Sequence, residues 1–270
     1  MPSRLRIEVL PDLSRDALEK RYLSLVQYLS AKLNMPCELV IPQSYEQFVE
    51  DIANGRAELG LFGGYTFMVA SERTKLVPLV MRDIDRHFTT VFLASARHRD
   101  QTLESFQGQR LAFGPRLSTS GHLMARDFLQ QKGIVPEQFF KEVRYSNGHD
   151  DTARLVRDGE VDLGAANGVT IKRMFASGEL KESEAVRVFE SPPYADYVWA
   201  MRESTPAALR AAVRAAFLSL TQMDEADARV LADQDAEVFL PVTKEEFRKV
   251  EEAVRKLRGG DQSARGTPRP

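Results

Sequence analysis

The sequence predicts an α/β fold built as two lobes of related design. Strand-like segments alternate with amphipathic helical segments along most of the chain, which is typical of sheets with helices on both faces. A helix–Gly–strand–Gly pattern also occurs twice, from Gly55 to Thr66 and from Gly159 to Thr170, with its glycines, leucine and threonine in register. The alternative is chance, since such turns recur in many α/β proteins. A length of 270 residues is enough for two lobes of modest size.

The predicted elements follow in order from the N-terminus. Leu5–Val9 alternates apolar and polar residues as a strand does, and apolar residues then recur every three or four positions from Leu18 to Leu33, as on one face of a helix. Further helices are predicted at 44–54, 206–220 and 244–257. The remaining predicted strands are Cys37–Ile41, Glu58–Phe62, Leu76–Val80, Phe88–Ser95, Arg110–Phe113, Glu142–Tyr145, Val161–Ala166, Val186–Phe189 and Tyr197–Met201. The tail 259–270 lacks an apolar anchor, which predicts disorder.

Composition excludes several classes of protein. Thirty-seven basic against 39 acidic residues give a net charge of −2, so a strongly electropositive nucleic-acid binder is excluded. The longest apolar stretch, Leu59–Ala70, is too short to span a bilayer. A single cysteine, Cys37, excludes an intramolecular disulfide and a cysteine-cluster metal site. The N-terminal residues lack the pattern of an export signal.

The most informative local motif is the run Ser118, Thr119, Ser120 and Gly121, between a predicted strand and a predicted helix. The first turn of a helix leaves backbone N–H groups unpaired and carries a partial positive charge, which suits an oxyanion. The alternative is that one hydroxyl merely caps the helix. A cap needs one hydroxyl, so three in a row favour a ligand. We expect alanine at Ser118 or Thr119 to weaken anion binding and leave the stability of the unliganded protein nearly unchanged.

Other candidate ligand-binding residues also follow strands. They are Tyr45, Tyr65, Thr66, His149 and Asn167, each at or beside a predicted helix start. Taken singly, a tyrosine is more often a packing residue and a lone histidine more often a surface or core group. His98, in charged surroundings, is expected to be solvated.

Catalysis has no positive support in the sequence. No metalloprotease, P-loop or nucleophile-elbow motif is present, and no His, Cys or carboxylate cluster has metal-ligand spacing. No nucleophile can be paired with a base. We therefore expect no enzyme, no metal and no cofactor.

Several motifs in order give the sequence a family resemblance. It closely resembles the phosphate, phosphite and phosphonate-binding proteins of bacterial ABC transporters over roughly 5–220. The motifs that carry the resemblance are the Tyr45 helix, Leu61-Phe-Gly-Gly-Tyr65, Ser118-Thr-Ser-Gly-His122, Tyr145-Ser-Asn-Gly-His149-Asp150 and Glu190-Ser-Pro-Pro193.

The resemblance implies a type II periplasmic binding fold, with lobe one at about 1–88 plus 200–258 and lobe two at about 89–199. The two lobes would close on an anion in a cleft between them. Ser118, Thr119 and Ser120 would hold the oxyanion with His149, and the other lobe would supply Tyr45 and Tyr65. The implied partner is a membrane permease, the implied location is the periplasm, and we expect a monomer.

The ligand and the function each have alternatives. Family members that bind aminoalkyl phosphonates need a carboxylate for the ammonium group, whereas Gly168 and Val169 follow Asn167 here and Asp196 is the nearest candidate. Phosphate, phosphite or methylphosphonate is therefore favoured. The alternative function is a ligand sensor of a signalling system, partnered by a membrane sensor. An enzyme on the same scaffold would have only His149 as an obvious acid or base.

Overall fold

The computed structural model describes residues 2–265 and divides the chain into two compact units. The first unit contains the residues up to Phe88 together with Ala195–Glu246, and the second contains Thr89–Tyr194 together with the residues from Phe247 onward. None of the helices in the described residues is long and apolar enough to cross a bilayer.

Strands and helices alternate through both units. The strands are β1 (Leu5–Val9), β2 (Cys37–Val40), β3 (Leu59–Phe62), β4 (Leu76–Arg82), β5 (Thr90–Ser95), β6 (Arg110–Phe113), β7 (Glu142–Tyr145), β8 (Leu163–Asn167), β9 (Ala185–Glu190), β10 (Val198–Arg202) and β11 (Phe239–Pro241). The helices are α1 (Arg15–Leu33), α2 (Tyr45–Asn54), α3 (Gly64–Ser71), α4 (Met124–Gln131), α5 (Pro136–Phe139), α6 (His149–Arg157), α7 (Gly168–Ser177), α8 (Ala207–Leu218), α9 (Glu225–Asp233) and α10 (Arg248–Arg265). This mixed α/β pattern matches the predicted fold class.

The sheet of the first unit has the order β11-β4-β10-β3-β1-β2. β1 pairs in parallel with both β2 and β3, whereas β10 runs antiparallel to β3 and β4, and β11 runs antiparallel to β4. The carboxyl ends of β1, β2 and β3 therefore meet at one edge of this sheet. Tyr45 begins the helix after β2, and Tyr65 and Thr66 lie in the first turn of the helix after β3.

The sheet of the second unit has the order β7-β6-β8-β5-β9. β6 pairs in parallel with β7 and β8, and β5 runs antiparallel to β8 and β9. Successive residues of β5 point to opposite faces of the sheet, and each face carries its own apolar layer. One layer contains Phe92, Phe113 and Leu129, and the other contains Val91 and Ile171.

The two copies of the repeated pattern form the same local structure. In each copy a helix ends near a glycine in the left-handed conformation, Gly55 with φ +74° and Gly159 with φ +73°, which glycine adopts at little cost. A short buried strand and a new helix follow, β3 and α3 in the first unit and β8 and α7 in the second.

The two compact units divide the C-terminal side of the chain differently from the predicted lobes. Residues 195–199, predicted in lobe two, belong to the first unit, and residues 247–258, predicted in lobe one, belong to the second. The physical reason is packing, because α10 lies against α4, and the apolar residues Val250 and Val254 of α10 are buried together with Phe247, which directly precedes the helix.

The C-terminal tail also differs from its prediction. α10 continues to Arg265, because a helix already formed over its first turns propagates more easily than it starts, even through Gly259 and Gly260. The rest of the predicted disordered tail, 266–270, lies outside the described residues.

Candidate anion-binding site

Three segments meet at the carboxyl edge of the sheet in the second unit. The neighbouring parallel strands β7, β6 and β8 end at Tyr145, Phe113 and Asn167. The segments after them carry His149, the Ser118–Gly121 turn and the start of α7, respectively. The outer edge beyond the carboxyl ends of parallel strands is where ligands bind in open α/β sheets.

The Ser118–Gly121 turn is the start of a continuous helix. The Ser118 side chain caps it by accepting a hydrogen bond from Gly121 N at 3.0 Å. Thr119–Leu123 is a π-helical turn, closed by Leu123 N donating to Ser118 O at 3.0 Å, and α4 follows directly. π-helical turns occur frequently at functional sites. Because Ser118 is the cap, its replacement by alanine is expected to reduce stability, which corrects the expectation from the sequence that stability would be nearly unchanged.

Ser120 has a different role from that of Ser118. Its side chain is 1% exposed, and its Oγ has no hydrogen-bond partner among the described residues. Its carbonyl, in contrast, accepts a hydrogen bond from Thr90 Oγ1 at 2.9 Å, and Thr90 Oγ1 also shares a hydrogen bond with the Tyr194 hydroxyl at 2.7 Å. The Ser120 carbonyl is therefore held in place, whereas the Ser120 hydroxyl makes no hydrogen bond to the described residues. A buried hydroxyl normally has a hydrogen-bond partner.

Gly121 brings two backbone segments close together. Gly114 N donates a hydrogen bond to Gly121 O at 2.8 Å. A Cβ atom at Gly121 would lie 2.9 Å from Gly114 Cα, 3.0 Å from His149 Cε1 and 3.1 Å from Ser118 Oγ. Only glycine fits at this position without displacement of its neighbours. These distances also place His149 beside the Ser118–Gly121 turn.

His149 and Asn167 are linked in the same place. His149 is 1% exposed, and its Nδ1 accepts a hydrogen bond from Asn167 N at 3.2 Å. A neutral imidazole that accepts at Nδ1 carries its proton on Nε2, so Nε2 is a donor. The Asn167 side-chain oxygen caps α7 by accepting from Thr170 N at 2.9 Å. The second unit therefore brings together all of its predicted site residues, Ser118, Thr119, Ser120, Gly121, His149 and Asn167.

The predicted site residues of the first unit lie at the carboxyl edge of its own sheet. Tyr45 is buried and follows the cap residue Ser44, and the Thr66 hydroxyl donates to Gly63 O at 2.9 Å. The proton of that hydroxyl is thus bonded to the residue that precedes α3. Whether Tyr45, Tyr65 and Thr66 contact a ligand stays a prediction.

Sequence reasoning missed the residues that support the site. Thr90, which holds the Ser120 carbonyl, and its partner Tyr194 come from distant parts of the chain, and no local pattern marks them. Arg116, two residues before Ser118, was not missed: the sequence left open whether it strengthens anion binding or points to solvent, and its guanidinium carbon lies 3.9 Å from the centre of the Tyr145 ring. His98, expected to be solvated, is buried and contacts the Phe106 ring, because Arg97 and Gln101 satisfy its two nitrogens.

Comparison with known proteins yields several similar relatives. The chain is 26% identical over 268 residues to a probable ABC transporter phosphite binding protein, PhnD1, from Prochlorococcus marinus strain MIT 9301, covering 95% of this chain and 90% of that protein. The solved structure of PhnD1 with methylphosphonate aligns with a TM-score of 0.90 and 25% identity, covering 96% of this chain and 99% of that one. A phosphate-import protein, PhnD, from Mycolicibacterium smegmatis is 26% identical over 216 residues, covering 75% of this chain and 67% of that protein.

The chain also matches a protein family, in addition to these single relatives. The family described as ABC transporter, phosphonate, periplasmic substrate-binding protein matches residues 7–247. Apart from the first two residues of β1, that range contains both sheets, and it contains every predicted site residue. The chain therefore belongs to the periplasmic substrate-binding proteins of phosphonate ABC transporters, with their two-sheet periplasmic-binding fold, and is a solute-binding protein, not an enzyme.

Proposed function

We propose that this protein binds a small phosphorus oxyanion, namely phosphate, phosphite or a small alkyl phosphonate, at the Ser118–Gly121 turn and delivers it to an ABC transporter. One observation carries the proposal. The Ser120 hydroxyl is buried, its backbone is held by Thr90, and its Oγ has no partner among the residues described. A tetrahedral oxyanion is an acceptor of suitable shape and charge for that hydroxyl.

The surrounding groups supply further donors. The first turn of the helix directs backbone N–H groups and a partial positive charge toward an anion. His149, which accepts at Nδ1 from Asn167 N, offers an N–H at Nε2 as a neutral side chain. Hydrogen bonds to a charged ligand contribute about 1.5–3 kcal/mol each. A few such bonds are sufficient for tight binding of a small anion.

The substituent on phosphorus is expected to be small and uncharged. After Asn167 the chain continues with Gly168 and Val169, neither of which carries a carboxylate. The Asp196 carboxylate accepts hydrogen bonds from Gly64 N at 2.8 Å and from Tyr197 N at 2.9 Å, so it is engaged with backbone in the first unit. The ligands for which the relatives are named, phosphite, methylphosphonate and phosphate, support this choice.

A ligand panel tests the proposal directly. Purified, phosphate-free protein is titrated by calorimetry with phosphate, phosphite, methylphosphonate, aminoethylphosphonate, sulfate and acetate. We expect binding of at least one of the first three, and much weaker binding of aminoethylphosphonate and acetate. Binding of none of the phosphorus oxyanions would contradict the proposal. Preference for aminoethylphosphonate would contradict the choice of substituent alone.

Two serine variants separate a ligand contact from a helix cap. Ser120→Ala removes a hydroxyl without a partner, so we expect an unchanged or slightly higher melting temperature and at least about a tenfold loss of affinity. Ser118→Ala, the matched control, removes the cap and is expected to cost about 1 kcal/mol of stability. Equal affinity in Ser120→Ala and wild type would remove Ser120 from the site.

The contribution of the first unit is a separate part of the proposal. We expect Tyr45→Phe and Tyr65→Phe to weaken anion binding, because each removes one hydroxyl donor. Closure of the lobes on ligand, which the resemblance implies, is measured as a decrease in radius of gyration by small-angle scattering. An unchanged affinity in both tyrosine variants would restrict the site to the second unit.

A further inference from the structure

A cluster of side chains beside the Ser118–Gly121 turn has no part in the proposed function. It consists of Arg116, His122, Arg126, Glu137 and Tyr145, and is called the His122 cluster. His122 lies within the π-helical turn and is 7% exposed. Its Nδ1 lies 2.6 Å from the backbone carbonyl oxygen of Arg116. Because a carbonyl only accepts hydrogen bonds, Nδ1 must carry the proton and donate.

The second nitrogen of His122 has the opposite role. Arg126 Nε donates to Nε2 at 3.3 Å, and the Tyr145 hydroxyl lies 3.4 Å from the same atom. Burial, with smaller contributions from the neighbouring arginines Arg126 and Arg116, lowers the pKa of His122 to about 4, although the hydrogen bond to the Arg116 carbonyl acts in the opposite direction. The ring is therefore neutral at physiological pH, with its tautomer fixed by the two bonds.

The other side chains of the His122 cluster restrain the His122 ring, the Arg126 side chain and the Arg116 side chain. The His122 ring packs edge-on against Phe113 and Tyr145, with centroid separations of 5.2 and 5.0 Å. Arg126 makes two bonds to the Glu137 carboxylate, at 2.9 and 2.7 Å. The Arg116 guanidinium lies over the Tyr145 ring. The segment that enters the anion-binding turn is thus held through both its backbone and its side chain.

We propose that His122 is a positioning residue for the anion-binding turn, in which the Nδ1–H bond to the Arg116 carbonyl orients the Ser118–Gly121 donors before the ligand arrives. The inference rests on the proposed function. A segment that is already ordered loses less conformational freedom when an anion binds, which raises affinity without any new contact. A side chain that never touches the ligand then affects how tightly the ligand binds.

Two variants separate the roles of the two ring nitrogens. The amide nitrogen of asparagine lies as many bonds from Cα as Nδ1 does, and that of glutamine as many as Nε2. His122→Asn therefore keeps a donor to the Arg116 carbonyl and loses the Nε2 contacts. His122→Gln keeps a polar group near Arg126 and Tyr145 and loses the bond to Arg116. Both replace an aromatic ring with an amide, so each is a control for loss of packing in the other.

The measurements are affinity for the best-bound phosphorus oxyanion, melting temperature, and amide hydrogen exchange over 115–122 in the unliganded protein. We expect His122→Gln to lose about tenfold in affinity or more and to exchange faster in this segment, and His122→Asn to stay within about threefold of wild type. Wild-type affinity and exchange in His122→Gln would overturn the inference. The inference would also be overturned if both variants lost the same affinity and the loss followed the decrease in melting temperature. The ring would then act only through packing.

Binding by wild type distinguishes failure of the proposed function from failure of this inference. If wild type binds no phosphorus oxyanion, the proposed function fails, and the positioning role fails with it. If wild type binds and His122→Gln binds equally well, only the positioning role fails.

Discussion

Gly121→Ala is expected to lose stability and anion binding together. The new Cβ would lie 2.9 Å from Gly114 Cα, a backbone atom that cannot move aside as a side chain does. Overpacking of this kind costs about 1–3 kcal/mol. The displaced turn would also move the Ser120 hydroxyl and the His149 ring, so we expect affinity to fall by more than about tenfold. Urea unfolding and calorimetric titration measure the two effects.

Gly259→Ala is the matched control for that substitution. Gly259 lies in α10, and within the described part of the chain a Cβ there would meet no atom within 4 Å other than the backbone of its own helix. Alanine is a better helix former than glycine by about 1 kcal/mol, so this variant is expected to bind normally and to be equally or more stable. A Gly121→Ala protein that binds and unfolds like Gly259→Ala would contradict the close approach of the two backbone segments.

Local patterns were sufficient to predict most of the fold. Alternation located strands such as Leu5–Val9, and the repeat identified β3–α3 and β8–α7 as equivalents. The C-terminal region was predicted less well. α9 and the three-residue strand β11 were missed, since such a short strand is defined by its pairing with β4 and not by its own sequence. The assignment of α10 to the second unit likewise depends on packing between segments far apart in the chain.

For the candidate site, the sequence indicated which residues to consider, whereas the structure shows which hydrogen bonds each of them makes. The hydroxyl run at 118–120 was visible, but nothing local distinguishes Ser118, which caps the helix, from Ser120, which does not. Thr90 and Tyr194 act on Ser120 from distant segments. Their contribution depends on tertiary contacts that no single-sequence pattern records.

A second large effect is expected at Glu8, in strand β1, which lies between β3 and β2. Glu8 is the polar residue between Ile7 and Val9 in this strand, and parallel sheets are covered on both faces. Glu8 is 0% exposed, and neither of its carboxylate oxygens has a hydrogen-bond partner among the described residues. Burial, followed by the Asp51 carboxylate of α2, raises its pKa to about 8, against smaller opposing effects of Arg56 and Arg6.

The sign of the pH dependence follows from the two states of Glu8. The folded protein holds the proton up to about pH 8, whereas the unfolded chain releases it near the ordinary pKa of 4.5. The folded state therefore binds more protons between these values, and stability falls as the pH rises from 4.5 to 8. A tenfold difference in proton affinity between the folded and unfolded states corresponds to about 1.4 kcal/mol of stability.

Glu8→Gln is expected to remove this loss of stability. A neutral amide keeps the shape of the protonated acid and can donate an N–H toward Asp51, so the variant should gain stability over wild type as the pH rises. We expect a gain on the order of 4 kcal/mol at about pH 8 and little difference at about pH 4.5, from urea unfolding at several pH values. Glu38→Gln, which removes an exposed carboxylate from neighbouring β2, should follow the wild-type curve. Parallel curves for Glu8→Gln and wild type across this range would mean that Glu8 is ionised in the folded protein, and that its charge is compensated inside the sheet.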